Sequence, residues 1–247
     1  MNVLLKIATF LCLCELGYSW QYPRNADQTL WAFKTCQREA KDQKFLEKWK
    51  KWELPVSDET YCYVKCVWKN LGSYNDADNS IKIEAIAQQF RSRGLNVPAS
   101  LQKVAGPTSG SCKEVYQKTI KFFLEQKANI QHAYYGTKAE SDKWFAAHPE
   151  TKPKGVKISQ FCKGKEKSGC KHYCSMYYFR LVDEDNLVVP FRKLPGYPEP
   201  KLQECRNKAR ATTGCKVADV LYECLKRDFP TYLSMILQNY DNESEYY

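Results

Sequence analysis

The sequence is poor in the residues that do most enzyme chemistry. It holds only three histidines, His132, His148 and His172, and they have no metal-ligand spacing to one another. There is no Gly-rich phosphate loop, no nucleophile elbow and no zinc-protease motif. The Cys-Cys-x-x-His-Asp signature of secreted phospholipases is missing as well. Catalysis is therefore not expected, nor a metal or other cofactor. Strand-like alternation is scarce, with Leu187–Phe191 the one plausible candidate. Beyond the first twenty residues no apolar run approaches the eighteen or so residues that span a bilayer, so no membrane partner is expected. Glycine and proline are modest, at 11 each, which leaves room for long helical segments.

What the chain does have is cysteine, twelve in 247 residues. Two lie in the leader MNVLLKIATFLCLCELGYS, which reads as a secretory signal peptide over 1–19 cut near Ser19. The remaining ten form two groups: Cys36, Cys62, Cys66 and Cys112, then Cys162, Cys170, Cys174, Cys205, Cys215 and Cys224. An even ten suits five disulfides in a secreted, oxidised protein. Each group has one Cys-x-x-x-Cys pair in a helix-like run, ETYCYVKCVWKNLG and KHYCSMYYFRLV. Residues i and i+4 share a helix face, so each cysteine can staple its helix to a different neighbour.

The periodic segments read as helical throughout, and the expected fold class is all-α. Asn25-Ala-Asp27 can cap a first helix, and Ser57 or Asp58 the Cys62/Cys66 helix. Asp78–Ser80 is expected to open another, and Ser111 a long one running to Tyr134 and stopped by Gly136. Helices are further expected near 170–182, 200–211, 216–227 and 231–240. The tail DNESEYY is expected to be mobile. It holds the one Asn-x-Ser/Thr sequon, at Asn242, of open occupancy. A boundary near residue 137 divides the chain into modules 20–136 and 137–247. The net charge of +10 points to anionic partners or simply to solubility.

The spacing Cys170-x3-Cys174, Cys205-x9-Cys215-x8-Cys224 resembles the framework of insect odorant-binding proteins, and the first group resembles a reduced version of it. The short gap from Cys162 to Cys170 departs from that pattern. The resemblance implies the pairs Cys36–Cys66, Cys62–Cys112, Cys162–Cys174, Cys170–Cys215 and Cys205–Cys224. Two such modules behind a leader are similar to the long salivary D-seven proteins of blood-feeding flies. The runs DQTLWAFKTCQREAKD, KFLEKWKKWELP and DETYCYVKCVWKNLGSYND carry the likeness. That family implies a secreted monomer that scavenges host mediators: eicosanoids such as cysteinyl leukotrienes and thromboxane A2 analogues in the first module, and in some mosquito members biogenic amines in the second.

The first module has suitable materials for an eicosanoid, which needs an apolar tunnel with a cationic mouth. Burial at ~0.8 kcal/mol per CH2 makes tight binding of a twenty-carbon chain feasible. The candidate ligand-binding residues are Trp49, Trp52, Tyr61, Trp68, Phe123, His132, Tyr135 and Lys138, with Trp49 and Trp52 placed by the KWKKW segment that the resemblance singles out. Aromatics at helical spacing are most often core, and lysines most often solvated. Amine binding in the second module would need Asp219 and Glu223, one turn apart, with His172, Tyr173, Tyr177 and Tyr178 beside them. The lysines Lys163, Lys165, Lys167 and Lys171 would oppose a cation there. Polyanion binding through FCKGKEKSGCKHY, as in a heparin-binding anticoagulant, is the third reading. No nucleic-acid partner is expected.

Overall fold

The computed structural model describes residues 23–247. The leader assigned to 1–19 lies outside the described residues. The first half holds α1 (Ala26–Gln37), α2 (Gln43–Lys50), α3 (Asp58–Asn70), α4 (Ile83–Arg91), a 3-10 helix at Ala99–Val104, α5 (Cys112–Glu125) and α6 (Lys127–Ala133). Helix α7 (Lys138–Ala147) leads into α8 (Ile158–Cys162), α9 (Tyr173–Tyr178), α10 (Glu199–Arg210), α11 (Lys216–Asp228) and α12 (Pro230–Glu243). Local signals set several of these ends. Asn25 and Gln28 form a capping box at α1, and Ser57 caps α3 by accepting from the Thr60 N–H.

Three expectations are corrected. Asp78–Ser80 does not open a helix; three two-residue strands, β1 (Tyr74–Asn75), β2 (Ser80–Ile81) and β3 (Gly106–Pro107), form an antiparallel sheet there in the order β1-β2-β3, and α4 starts at Ile83. The long helix from Ser111 breaks at Gln126, whose φ of -114° and ψ of 16° lie outside helical geometry. The tail is ordered: α12 continues to Glu243, and Tyr247 is buried. The Lys152 Nζ holds that end in place, donating to the carbonyls of Val156, Ser244 and Tyr247 at 3.0, 2.9 and 2.6 Å. The Leu187–Phe191 stretch contributes only an isolated bridge, Val182 to Val188.

Two hydrophobic cores result. One gathers Trp31, Trp49, Tyr63, Trp68, Phe90, Phe122 and their neighbours from α1–α6; the other gathers Ile158, Met176, Leu202, Leu221, Leu225 and Ile236 from α8–α12. Five disulfides staple them: Cys36–Cys66, Cys62–Cys112, Cys162–Cys174, Cys170–Cys215 and Cys205–Cys224. In the first half the i,i+4 pair on α3 reaches two different neighbours, as the helix face requires; in the second the helix expected from 170 is corrected, since α9 begins at Tyr173 and Cys170 lies in the loop before it. The short Cys162–Cys170 gap is absorbed because α8 ends at Cys162 and packs directly on α9.

The two cores meet across a polar seam. Asp27 of α1 pairs with the Arg180 guanidinium, both side chains almost fully buried. The guanidinium of Arg192 lies 5.2 Å from the Trp31 ring, and Arg38 pairs with Glu243 at 2.9 Å. Desolvation of such a pair is costly, so it fixes orientation more than it adds net stability.

Candidate functional site

Inside the first core lies a narrow apolar cleft with about 30 Å³ of free space, lined by Phe33, Trp49, Trp52, Leu54, Tyr63, Val64, Val67, Trp68, Leu71, Phe123 and Ile130. Its construction follows from helix periodicity. Tyr63, Val64, Val67, Trp68 and Leu71 recur at the spacing of a single face at the end of α3. Helix α2 delivers Trp49, whose indole N–H donates to Thr60 Oγ1 at 3.1 Å. Thr60 is itself bonded to the Ser57 cap, so the N-terminus of α3 sets the angle of the Trp49 ring.

The rings pack into a narrow slot. Trp49 stacks on Tyr63 at 4.2 Å and 2°, and Trp52 lies between Phe33 at 5.0 Å and Phe123 at 5.6 Å. Trp52 has a left-handed backbone, φ 59°, just past the end of α2, which turns its side chain back over the core. Burial raises the Tyr63 phenol well above its ordinary pKa, opposed by a hydrogen bond with Gln37. The phenol stays neutral. A slot walled by hydrocarbon and neutral rings takes an apolar chain, and an anionic group has to remain outside it.

Four of the eight candidate residues come together here: Trp49, Trp52, Trp68 and Phe123. The other four lie outside the lining. Tyr61 is buried against Tyr116 at 4.7 Å. His132 is half exposed and pairs with Glu140, and the exposed Lys138 pairs with Asp142. Tyr135 sits under the Arg93 guanidinium at 4.0 Å. Among further cations, Lys65 is engaged with Asp76 and the Gly110 carbonyl. Lys34, on α1 next to Phe33, escaped the sequence reading. Its ammonium is held below its ordinary pKa by partial burial, with Lys50 and Lys154 adding like charge. Nothing in the pattern around Lys34 marks it, because its surroundings come from α2 and the segment after α7. Leu54, Val64, Val67, Leu71 and Ile130 likewise read as ordinary core positions.

In the second core Asp219 and Glu223 do not form an open acidic pocket. Asp219 accepts the backbone N–H groups of Lys171 at 3.1 Å and His172 at 2.7 Å. Glu223 lies 3.5 Å from His172 Nε2, and the His172 ring stacks on Tyr222 at 3.7 Å. A tight crevice with no free space for a water lies in the seam, among Gln28, Trp31, Asn70, Tyr177, Arg180, Val182 and Asp183. Among the described residues no group of three or more His, Cys, Asp or Glu side chains could hold a metal ion, and no helix is long and apolar enough to cross a membrane.

Comparison with known proteins agrees with this architecture. The PBP/GOBP family model matches residues 22–117. The long form salivary protein D7LC of Phlebotomus papatasi is 47% identical over 250 residues, covering 99% of this chain and 98% of the relative. A D7 protein from Phlebotomus duboscqi, solved in its native form, superposes with a TM-score of 0.80 at 45% identity, covering 93% of this chain and 100% of that one. An AeD7–leukotriene E4 complex shares the fold at 18% identity, with a TM-score of 0.68 and 92% of each chain covered. These relatives are salivary, odorant-binding-like proteins and not an enzyme family. The two stapled helical cores and the full-length similarity have one explanation: this chain belongs to the long-form D7 salivary proteins.

Proposed function

We propose that the protein is a secreted, monomeric salivary scavenger of host eicosanoids, which it holds in the module spanning 20–136. The observation that carries this reading is the aromatic slot of Phe33, Trp49, Trp52, Tyr63, Trp68 and Phe123. An eicosanoid tail would part the stacked rings and occupy the slot, with its carboxylate left at the rim. In this reading the cations that meet it are Lys34 of α1 and Lys50 of α2, which lie close enough to repel each other. Cysteinyl leukotrienes and thromboxane A2 analogues are the proposed ligands, and the leukotriene named for the AeD7 complex supports the first of these. Removal of such mediators at a bite would oppose inflammation, vasoconstriction and platelet aggregation.

The test is calorimetric titration of the full chain against leukotrienes, a thromboxane analogue, serotonin and histamine. One lipid per chain is expected. Trp49→Ala or Trp52→Ala should weaken binding by about 2 kcal/mol, the cost of truncating a buried aromatic anchor. If both variants fold and titrate like the wild type, the pocket is wrongly placed. The amine reading of the second module is not favoured, because the carboxylate it requires at Asp219 already serves two backbone N–H groups.

A further inference from the structure

The net charge of +10 is unevenly spread: the stretch from Lys152 through Cys174 holds seven lysines and a single acid, Glu166. Four of those lysines, Lys163, Lys165, Lys167 and Lys171, lie in the exposed loop between α8 and α9. None of the four pairs with a carboxylate among the described residues. We propose that this loop, with Lys216 and Lys226 of α11 beside it, is a docking surface for a sulfated polysaccharide of the extracellular matrix.

The loop is built to hold its charges in place. Disulfide Cys162–Cys174 ties its two ends together, and Cys170–Cys215 pins its second half to the start of α11. Gly164 and Gly169, at φ 76° and 81°, make two tight turns that a side chain would strain. Lys165 N donates to the Cys162 carbonyl at 3.0 Å, and Cys170 N to the Lys167 carbonyl at 2.9 Å. Asp219 then anchors the loop from α11 through the N–H groups of Lys171 and His172. A segment held this way has little backbone freedom left to lose on binding. The bridge to Cys215 brings exposed Lys216 beside the loop. Lys226 lies 5.8 Å from the Tyr222 ring, on which His172 stacks. The acids facing this surface are Glu166 in the loop, Asp219, which is committed to the backbone, and Glu223, which faces His172.

The kind of polyanion follows from what lies between the lysines. The segment Lys163–Lys171 has no aromatic or large aliphatic side chain. Phe161, at its edge, is half-buried and covered by the Lys165 ammonium at 3.1 Å. The lysine-bearing stretch therefore offers no ring on which a base could stack and nothing apolar to enter a bilayer, and the His172 and Tyr222 rings beside it are already stacked on each other. Point charges on a rigid, disulfide-bonded loop suit sulfate groups on a polymer of the oxidising extracellular space. Such docking would hold a mediator-binding protein near its point of delivery, whatever its first module binds.

The test uses the full, oxidised chain and titrates heparin, chemically desulfated heparin, a single-stranded oligonucleotide and phosphatidylserine vesicles. Heparin should bind at 150 mM NaCl, and with some four or five contacts the affinity should fall about a hundredfold between 50 and 200 mM salt. The variant Lys163→Gln/Lys165→Gln/Lys167→Gln/Lys171→Gln should lose about tenfold or more at 150 mM salt. The charge-matched control Lys41→Gln/Lys103→Gln/Lys113→Gln/Lys121→Gln should stay within about twofold. Lipid titration of both variants reports that the fold and the first-module site are intact. If the fourfold loop variant does not fold, the pair Lys163→Glu/Lys167→Glu takes its place. Equal losses in loop and control variants would reduce the effect to net charge and overturn the proposal. So would heparin failing to bind, desulfated heparin binding as tightly, or the oligonucleotide or vesicles binding more tightly than heparin.

Discussion

Gly136 is the most informative position at which to perturb the slot without touching its lining. A Cβ added there would stand 2.5 Å from Cζ2 and 3.0 Å from Cη2 of Trp52, and 3.3 Å from the Gln131 Cα. An ordinary carbon–carbon contact is about 3.5–4.0 Å, so in Gly136→Ala the indole must retreat by about 1 Å. It has little freedom to do so. Its left-handed backbone is fixed by the turn after α2, and its ring is packed by Phe33 and Phe123, which also line the cavity. The displacement therefore passes to the cavity wall. Overpacking of this kind costs about 1–3 kcal/mol. We expect Gly136→Ala to lower the melting temperature and to weaken lipid binding by roughly five- to a hundredfold in calorimetry, as that energy implies. Trp52→Phe removes the two crowded benzo-ring atoms, so in the Gly136→Ala background it should recover most of the lost stability. Unchanged affinity and unchanged melting in Gly136→Ala would refute the reasoning, because Trp52 could then be neither wedged nor part of the binding wall.

Three other outcomes are expected. Asp27→Asn leaves the buried Arg180 unpaired and should cost about 3–5 kcal/mol in chemical denaturation, with most of it restored by Arg180→Met. Asp183 is raised to about 6 by burial, so its folded pKa lies above the unfolded value of 3.8 and the folded state binds the extra proton between them. Its unfavourable contribution is fully present above pH 6 and is relieved as pH falls toward 4. Asp183→Asn should thus stabilise the protein by about 1–3 kcal/mol at pH 7.5, an advantage that melting curves should show vanishing near pH 4. Serotonin should give no binding heat at micromolar protein; heat that disappears in Asp219→Asn or Glu223→Gln would reverse that expectation.

The fold was largely legible because its signals are local or covalent. Caps at Asn25 and Ser57, and the i,i+4 cysteines, act within a few residues of where they stand. The pairing of cysteines needed the family resemblance, since spacing alone allows many connectivities. What escaped was set at long range. Nothing near Tyr247 announces that it packs into the first core, because its partners are brought from the other end of the molecule by α12 and Lys152. Asp27 and Arg180 each look like a surface charge in sequence, yet 153 positions apart they form the most buried ion pair of the described residues. Half of the candidate site behaved in the same way. The KWKKW segment placed Trp49 and Trp52 in the slot lining, whereas His132 and Lys138 had acidic neighbours close in sequence, Glu140 and Asp142, that already satisfy them. The local pairing rule for helices foretells the Lys138–Asp142 contact, an i,i+4 pair on α7. The lysines of the Lys163–Lys171 loop fall outside that rule, because the loop is not helical; with Glu166 as the one acid among them they form no ion pair among the described residues, and that is where the surplus positive charge of this protein is free to act.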